Sequence, residues 1–162
     1  MLLFLLPAAL AGKWDGAPTD IQAERLIPAP REQVFSHLLD LAHLRAVYPE
    51  DCVGLWEPGV RTFGEGASAI VRYYIAAMHR KLPMTLVRAD APRSIDLDHL
   101  GNRGFVTRWS LEEVEGATKV TVLTPLNAPP WPFTAYFHTV VRPEWTECYA
   151  RALQNLESAL RQ

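Results

Sequence analysis

The chain has little of what metal, redox or nucleic-acid chemistry asks for. Its 162 residues include only two cysteines, Cys52 and Cys148, which make neither a C-x-x-C pair nor a zinc cluster. The five histidines, His37, His43, His79, His99 and His138, sit on separate stretches without metal-ligand spacing. Hence no metal and no cofactor is expected. Glycine is sparse, and there is no phosphate-cradling glycine loop, no G-x-S-x-G elbow and no reactive-cysteine signature. Neither charge sign dominates: 16 basic and 18 acidic residues leave a formal net charge of −2, which argues against a nucleic-acid groove. With 49% hydrophobic and 21% charged residues, the composition also excludes disorder.

Long hydrophobic runs are lacking too. Met1 to Gly12 is apolar apart from Pro7, but a bilayer span needs about 20 such residues. Ala9-Leu10-Ala11 resembles a signal-peptidase site, although no Lys or Arg precedes it. Residues 1–20 are therefore read as an apolar segment followed by a polar linker from Lys13, with a truncated signal, a membrane-touching arm and a misplaced start codon as the alternatives. A cytoplasmic location is favoured, and export or membrane contact through residues 1–12 is the other option. The cysteines read as two separate buried thiols. Export would make a disulfide between them possible.

What the chain does contain is one domain's worth of alternating patterns, residues 21–162. From Trp131 to Gln162, helical spacing puts Phe133, Phe137, Val141, Trp145, Cys148, Tyr149, Ala152, Leu156 and Leu160 on one side. This long amphipathic helix needs a broad apolar partner, and Pro143 should kink or split it. Ahead of it, Ile21–Ile27 reads as a strand ended by Pro28-Ala29-Pro30. Two short helices follow: one carries Val34, Phe35, Leu38 and Leu39, and the other starts at an Asp40 N-cap and carries Leu41, Leu44 and Val47. Six short strands come next. They are Val53–Glu57, Ala67–Met78, Leu82–Ala89 with Pro83 marking an edge or bulge, Ser94–Leu100, Phe105–Glu112 and Thr118–Thr124. Turns are expected at Ala91-Pro92-Arg93, Gly101-Asn102 and Glu115-Gly116.

Ile27-Pro28-Ala29-Pro30-Arg31-Glu32-Gln33-Val34-Phe35 followed by Asp40, and Gly104 with Trp109 ahead of Gly116-Ala117-Thr118-Lys119-Val120, carry a family resemblance. They resemble the opening and the late hairpin of the START, polyketide cyclase and birch-pollen-allergen (SRPBCC) superfamily over roughly Ile21 to Gln162. The resemblance implies an α+β helix-grip fold, in which a curved antiparallel sheet of about seven strands wraps a long C-terminal helix. It also implies a small hydrophobic ligand between the two. Because that superfamily holds carriers, cyclases and co-chaperones alike, it says little about activity.

Strand parity directs Tyr73, His99, Phe105 and Trp109 to the concave side, and the long helix adds Phe137 and Trp145. These six are the candidate ligand-binding residues. His99 is the one with acid–base capacity near neutral pH, and Tyr73 or Thr107 could assist it. Tyr48, Trp56 and Trp131 fall near predicted loops, where pocket mouths form. Asp96 and Asp98 are placed on the solvated face, with Arg72, Arg88 and Arg108 as outer charges and Arg88 beside a suspected bulge. Glu147 with Arg151, and Glu157 with Arg161, read as exposed i,i+4 pairs. Three functions follow in order: binding or transport of a lipid, polyketide or quinone; a cyclase or aromatase using His99; and a module whose groove takes a protein partner or the chain's own N-terminus. No residue set is unmistakably catalytic, so binding leads.

Overall fold

The computed structural model describes residues 16–76, 79–99 and 105–161. The apolar stretch 1–12, the Gly101-Asn102 turn and Gly104 lie outside them. Seven antiparallel strands form one sheet in the order β1-β7-β6-β5-β4-β3-β2. They are β1 (Ile21–Ile27), β2 (Val53–Pro58), β3 (Ser68–Tyr73), β4 (Arg80–Asp90), β5 (Ser94–Asp98), β6 (Val106–Val114) and β7 (Ala117–Thr124). Helices α1 (Arg31–Leu38) and α2 (Leu41–Val47) separate β1 from β2. After β7 come α3 (Phe133–Tyr136), a π turn (Phe137–Val141) and the long α4 (Arg142–Leu160). This is the helix-grip arrangement.

Local chemistry explains the breaks. Pro30 cannot donate a ladder bond and stands at the N-cap of α1, while the Asp40 carboxylate caps α2 by accepting from the Ala42 amide at 2.8 Å. Glu115 and Gly116 both have positive φ, 51° and 82°, as a two-residue hairpin turn needs. Pro143 splits the long helix as expected: it has no N–H for the carbonyl four residues back. The backbone widens to a π turn immediately before it, where the Arg142 amide donates to the Phe137 carbonyl.

Several expectations are corrected. Strand β3 ends at Tyr73, short of Met78, and β5 ends at Asp98. Pro83 sits in an interior strand without a bulge. It pairs with Ile70 in regular register, at a point on β4 beyond the stretch that faces β5. The suspected bulge is present nearer Arg88, where the β4–β5 register shifts between Leu86 and Arg88.

Asp96 and Asp98 are buried rather than solvated. The reason is the central place of β5: Asp96 stands in register between Arg88 of β4 and Arg108 of β6. Arg108 donates two parallel bonds to its carboxylate, at 2.7 and 2.9 Å. Arg151 forms its ion pair with Asp51, and Glu147 acts on it through charge alone. Glu157 is buried, holding Arg25 of β1 as well as Arg161.

The two cysteines are not separate thiols. Cys52 and Cys148 form a disulfide that ties the start of β2 to α4. Their side chains meet because α4 crosses the α2–β2 junction, where Asn155 also donates to the Val47 carbonyl at 3.0 Å. At the other end of the fold, Thr19 donates to the Leu126 carbonyl and Ala128 to that of Ala17, both at 2.8 Å. The last residues of the polar N-terminal stretch therefore run beside the loop that follows β7.

Candidate functional site

The concave face of the sheet meets α4 in a cluster of aromatic rings. Alternation delivers them: Val71 and Tyr73 face inward on β3, Ile95 and Leu97 on β5 with His99 just past its end, and Thr107, Trp109 and Leu111 on β6. His99 lies at the centre and is buried. Its ring centroid is 5.8 Å from Tyr73, 5.6 Å from Phe105 and 6.0 Å from Trp145, within the range of ordinary aromatic packing. Phe105 and Trp145 also touch, at 5.3 Å. Four of the six candidates thus converge on one point.

Trp109 joins through a residue the sequence placed at a loop. Tyr48, buried directly after α2, stands edge-on to both Trp109, at 5.9 Å, and His99, at 6.5 Å. Its i+4 relation to Leu44 on the inward stripe of α2 was the available signal. Phe137 is buried on the π turn with His138 as its ring neighbour. Trp56 is half-buried, donating to the Val53 carbonyl at 3.2 Å, and Trp131 is 88% exposed.

Polar atoms within the cluster are few and specifically placed. The Tyr73 hydroxyl and His99 Nδ1 are 2.8 Å apart. Burial lowers the His99 pKa to about 4, with partial opposition from the Asp98 carboxylate, so the ring is neutral at physiological pH. Burial likewise raises Tyr73 and Tyr48 well above the usual phenol range. Thr107 does not assist His99. It belongs to a separate ring of hydroxyls with Thr124 at 2.7 Å and Tyr149 at 2.9 Å, closed by a Thr124–Tyr149 bond of 2.7 Å. Burial pushes Tyr149 up to about 12 despite those two bonds.

Three other polar atoms of the cluster have no partner among the described residues: His99 Nε2, Trp109 Nε1 and the Tyr48 hydroxyl. The Trp109 N–H faces Tyr48 closely enough to ease that phenol's ionisation, yet the pair does not close a hydrogen bond.

Glu144 near the start of α4 and Tyr136 on α3 hold the cluster's flank. The Glu144 carboxylate accepts from the Ala76 amide at 2.5 Å, and the Tyr136 hydroxyl donates to the Ala76 carbonyl at 3.0 Å. Ala76, just beyond β3, takes the left-handed φ of 54°. Open clefts lined by described residues lie elsewhere. One of about 850 Å³ runs between Pro18–Gln22 and the outer side of α4, and one of about 250 Å³ lies beside the disulfide. Neither is lined by His99, Trp109 or Tyr48. Among the described residues no group of three or more His, Cys, Asp or Glu could hold a metal ion, and no helix is long and apolar enough to cross a membrane.

Residues 18–161 match the family described as polyketide cyclase / dehydrase and lipid transport. The chain belongs to that family. Solved structures carry the same fold at low identity, beginning with an NMR solution structure of the KanY protein, at 15% identity and a TM-score of 0.75 over 90% of this chain and 99% of that one. TTHA0849 from Thermus thermophilus gives 19% and 0.67 over 88% and 97%. Ara h 8.0201 gives 13% and 0.59 over 90% and 99%. No curated protein matches the sequence significantly. As a member of the polyketide cyclase and lipid transport family, the chain has a general hydrophobic-ligand-binding role. Its α+β helix-grip architecture is the one those structures share.

Proposed function

We propose that the protein binds and carries a small hydrophobic molecule between the sheet and α4, with the rings of Tyr73, His99, Phe105, Trp109 and Trp145 as its surroundings. One observation carries this reading: an aromatic interior buries three polar atoms that have no partner among the described residues. Ligand sites are mostly apolar with a few placed polar groups. The test is native mass spectrometry of protein purified without added ligand, followed by extraction of whatever stays bound. A specific lipid, polyketide or quinone is expected in the wild type and should be lost in Phe105→Ala and Trp145→Ala. A protein that is empty as purified, and takes up no member of a panel of these three classes, overturns the proposal.

The Tyr73–His99 bond favours a second reading, a cyclase or aromatase in which neutral His99 moves a proton on the bound molecule. Turnover that titrates with His99 and disappears in His99→Gln, while binding persists, would establish it. Binding without turnover would leave the carrier.

A further inference from the structure

The Cys52–Cys148 bridge is not sealed inside the core. Both cysteines stand in the wall of the open cleft of about 250 Å³, so a solute that enters this cleft meets them. The bridge ties α4 to the α2–β2 junction, but two other contacts hold the same place: Asn155 donates to the Val47 carbonyl at 3.0 Å, and Arg151 pairs with Asp51. Those contacts remain when the bridge is opened. Local release of a helix is therefore open to this chain without loss of the whole fold.

Cys52 is the sulfur open to attack. It is 6% exposed and lies on the turn after α2, whereas Cys148 is 2% exposed and held within α4. An attacking thiolate forms a bond to Cys52 Sγ while the bond between the two protein sulfurs breaks. The electron pair leaves on Cys148, which takes a proton from water. Where the reagent is a dithiol, its second thiolate then displaces Cys52. The protein ends with two thiols and the dithiol ends as a disulfide, a balanced two-electron exchange.

Charge selects the thiol that enters. Among the described residues the lining carries three carboxylates, Asp51, Glu144 and Glu147, against the one guanidinium of Arg151. That guanidinium is already engaged by Asp51, whose carboxyl it holds below the usual carboxylate range. The cleft therefore has a surplus of negative charge, which gathers cations and repels anions.

We propose that this cleft is a thiol–disulfide exchange site for a dithiol bearing no charged group or a positive one, and that reduction there releases α4 from the α2–β2 junction while the protein stays folded. The site needs no ligand in the aromatic interior, so its test is separate from that of the carrier reading. The oxidised full chain is treated with dithiothreitol at neutral pH, and loss of the bridge is followed by alkylation and mass spectrometry. The rate should be nearly indifferent to low urea. In the reduced protein, hydrogen exchange should quicken in α4 around Cys148 and at the start of β2, while β5 to β7 stay protected. A rate that climbs steeply with urea, as passage through the unfolded chain demands, overturns the proposal. So does a reduced chain whose sheet amides have lost their protection.

Monothiols test the charge condition. Cysteamine, a cation, and 3-mercaptopropionate, an anion, are each scaled by their rate on a small neutral disulfide, which cancels the intrinsic reactivity of the thiol. The scaled preference for cysteamine should be about tenfold at low salt and fade at high salt. Glu147→Gln, at an exposed position, should at least halve it. Peptide mapping should place the cysteamine adduct on Cys52. Equal rates, or a preference for the anion, overturn the proposed selectivity, and an adduct on Cys148 overturns the assigned direction of attack.

Discussion

Protonating His99 would place a cation among the rings of Tyr48, Tyr73, Phe105 and Trp145, with the Asp98 carboxylate offsetting it in part. The folded state holds that proton only below about pH 4, whereas the unfolded chain takes it up near the ordinary value of 6.5. Between these values the unfolded state binds more protons. The stability His99 contributes is thus complete above pH 6.5 and is lost as pH falls toward 4, at about 1.4 kcal/mol per pH unit. Urea titrations at steps from pH 7 to 4.5 should show this slope in the wild type and a shallower one in His99→Phe. The hydroxyl ring behaves differently because its members back one another up. In Tyr149→Phe, Thr107 and Thr124 keep their 2.7 Å bond, so a loss of about 1–2 kcal/mol is expected. Adding Thr107→Val should cost less than the sum of the two single changes, as a double-mutant cycle by thermal melts would reveal.

Among the elements, the α3–π–α4 strap depends on a backbone position the sequence could not mark. Ala76 carries no side-chain chemistry, yet its amide and carbonyl are both taken by the strap. Glu144→Ala leaves that amide without its acceptor and should lower stability by about 1–3 kcal/mol. Glu144→Gln retains an acceptor oxygen and should recover most of the loss in the same denaturation assay. Periodicity made most elements legible: strict alternation marked β6 and β7, and the apolar stripe with Pro143 marked a divided C-terminal helix. It misplaced Asp96 because alternation says which face a residue takes and not how deep its strand lies in the sheet. Only the strand order sets Arg88 and Arg108 on either side of that carboxylate. Tyr48 is read at a pocket mouth and not in the interior for a related reason: it falls near a loop in the sequence, while the backbone after α2 turns its ring inward.

For the whole molecule, Cys52 and Cys148 are read apart in the sequence because their meeting depends on α4 crossing the α2–β2 junction, a tertiary fact with no local trace. The bridge joins residues separated by 96 positions. Closing so long a loop in the unfolded chain should stabilise the fold by about 2–5 kcal/mol. Cys52→Ser/Cys148→Ser, or the wild type under reducing conditions, should therefore melt several degrees lower. Unchanged melting would show that the two thiols do not bridge in solution. The same bond also sets how the protein bears mechanical load. Pulled from its two ends, the chain can release only β1, α1, α2 and the last turns of α4, because force passes from Cys52 to Cys148 through the two sulfurs and bypasses all that lies between. Tyr73, His99, Phe105, Trp109 and Trp145 all sit inside that shielded ring, while Tyr48 and Tyr149, the latter packed on Trp145 at 5.4 Å, lie outside it. In an optical trap the oxidised protein should lengthen by far less than the reduced one, with most of its aromatic interior spared the tension.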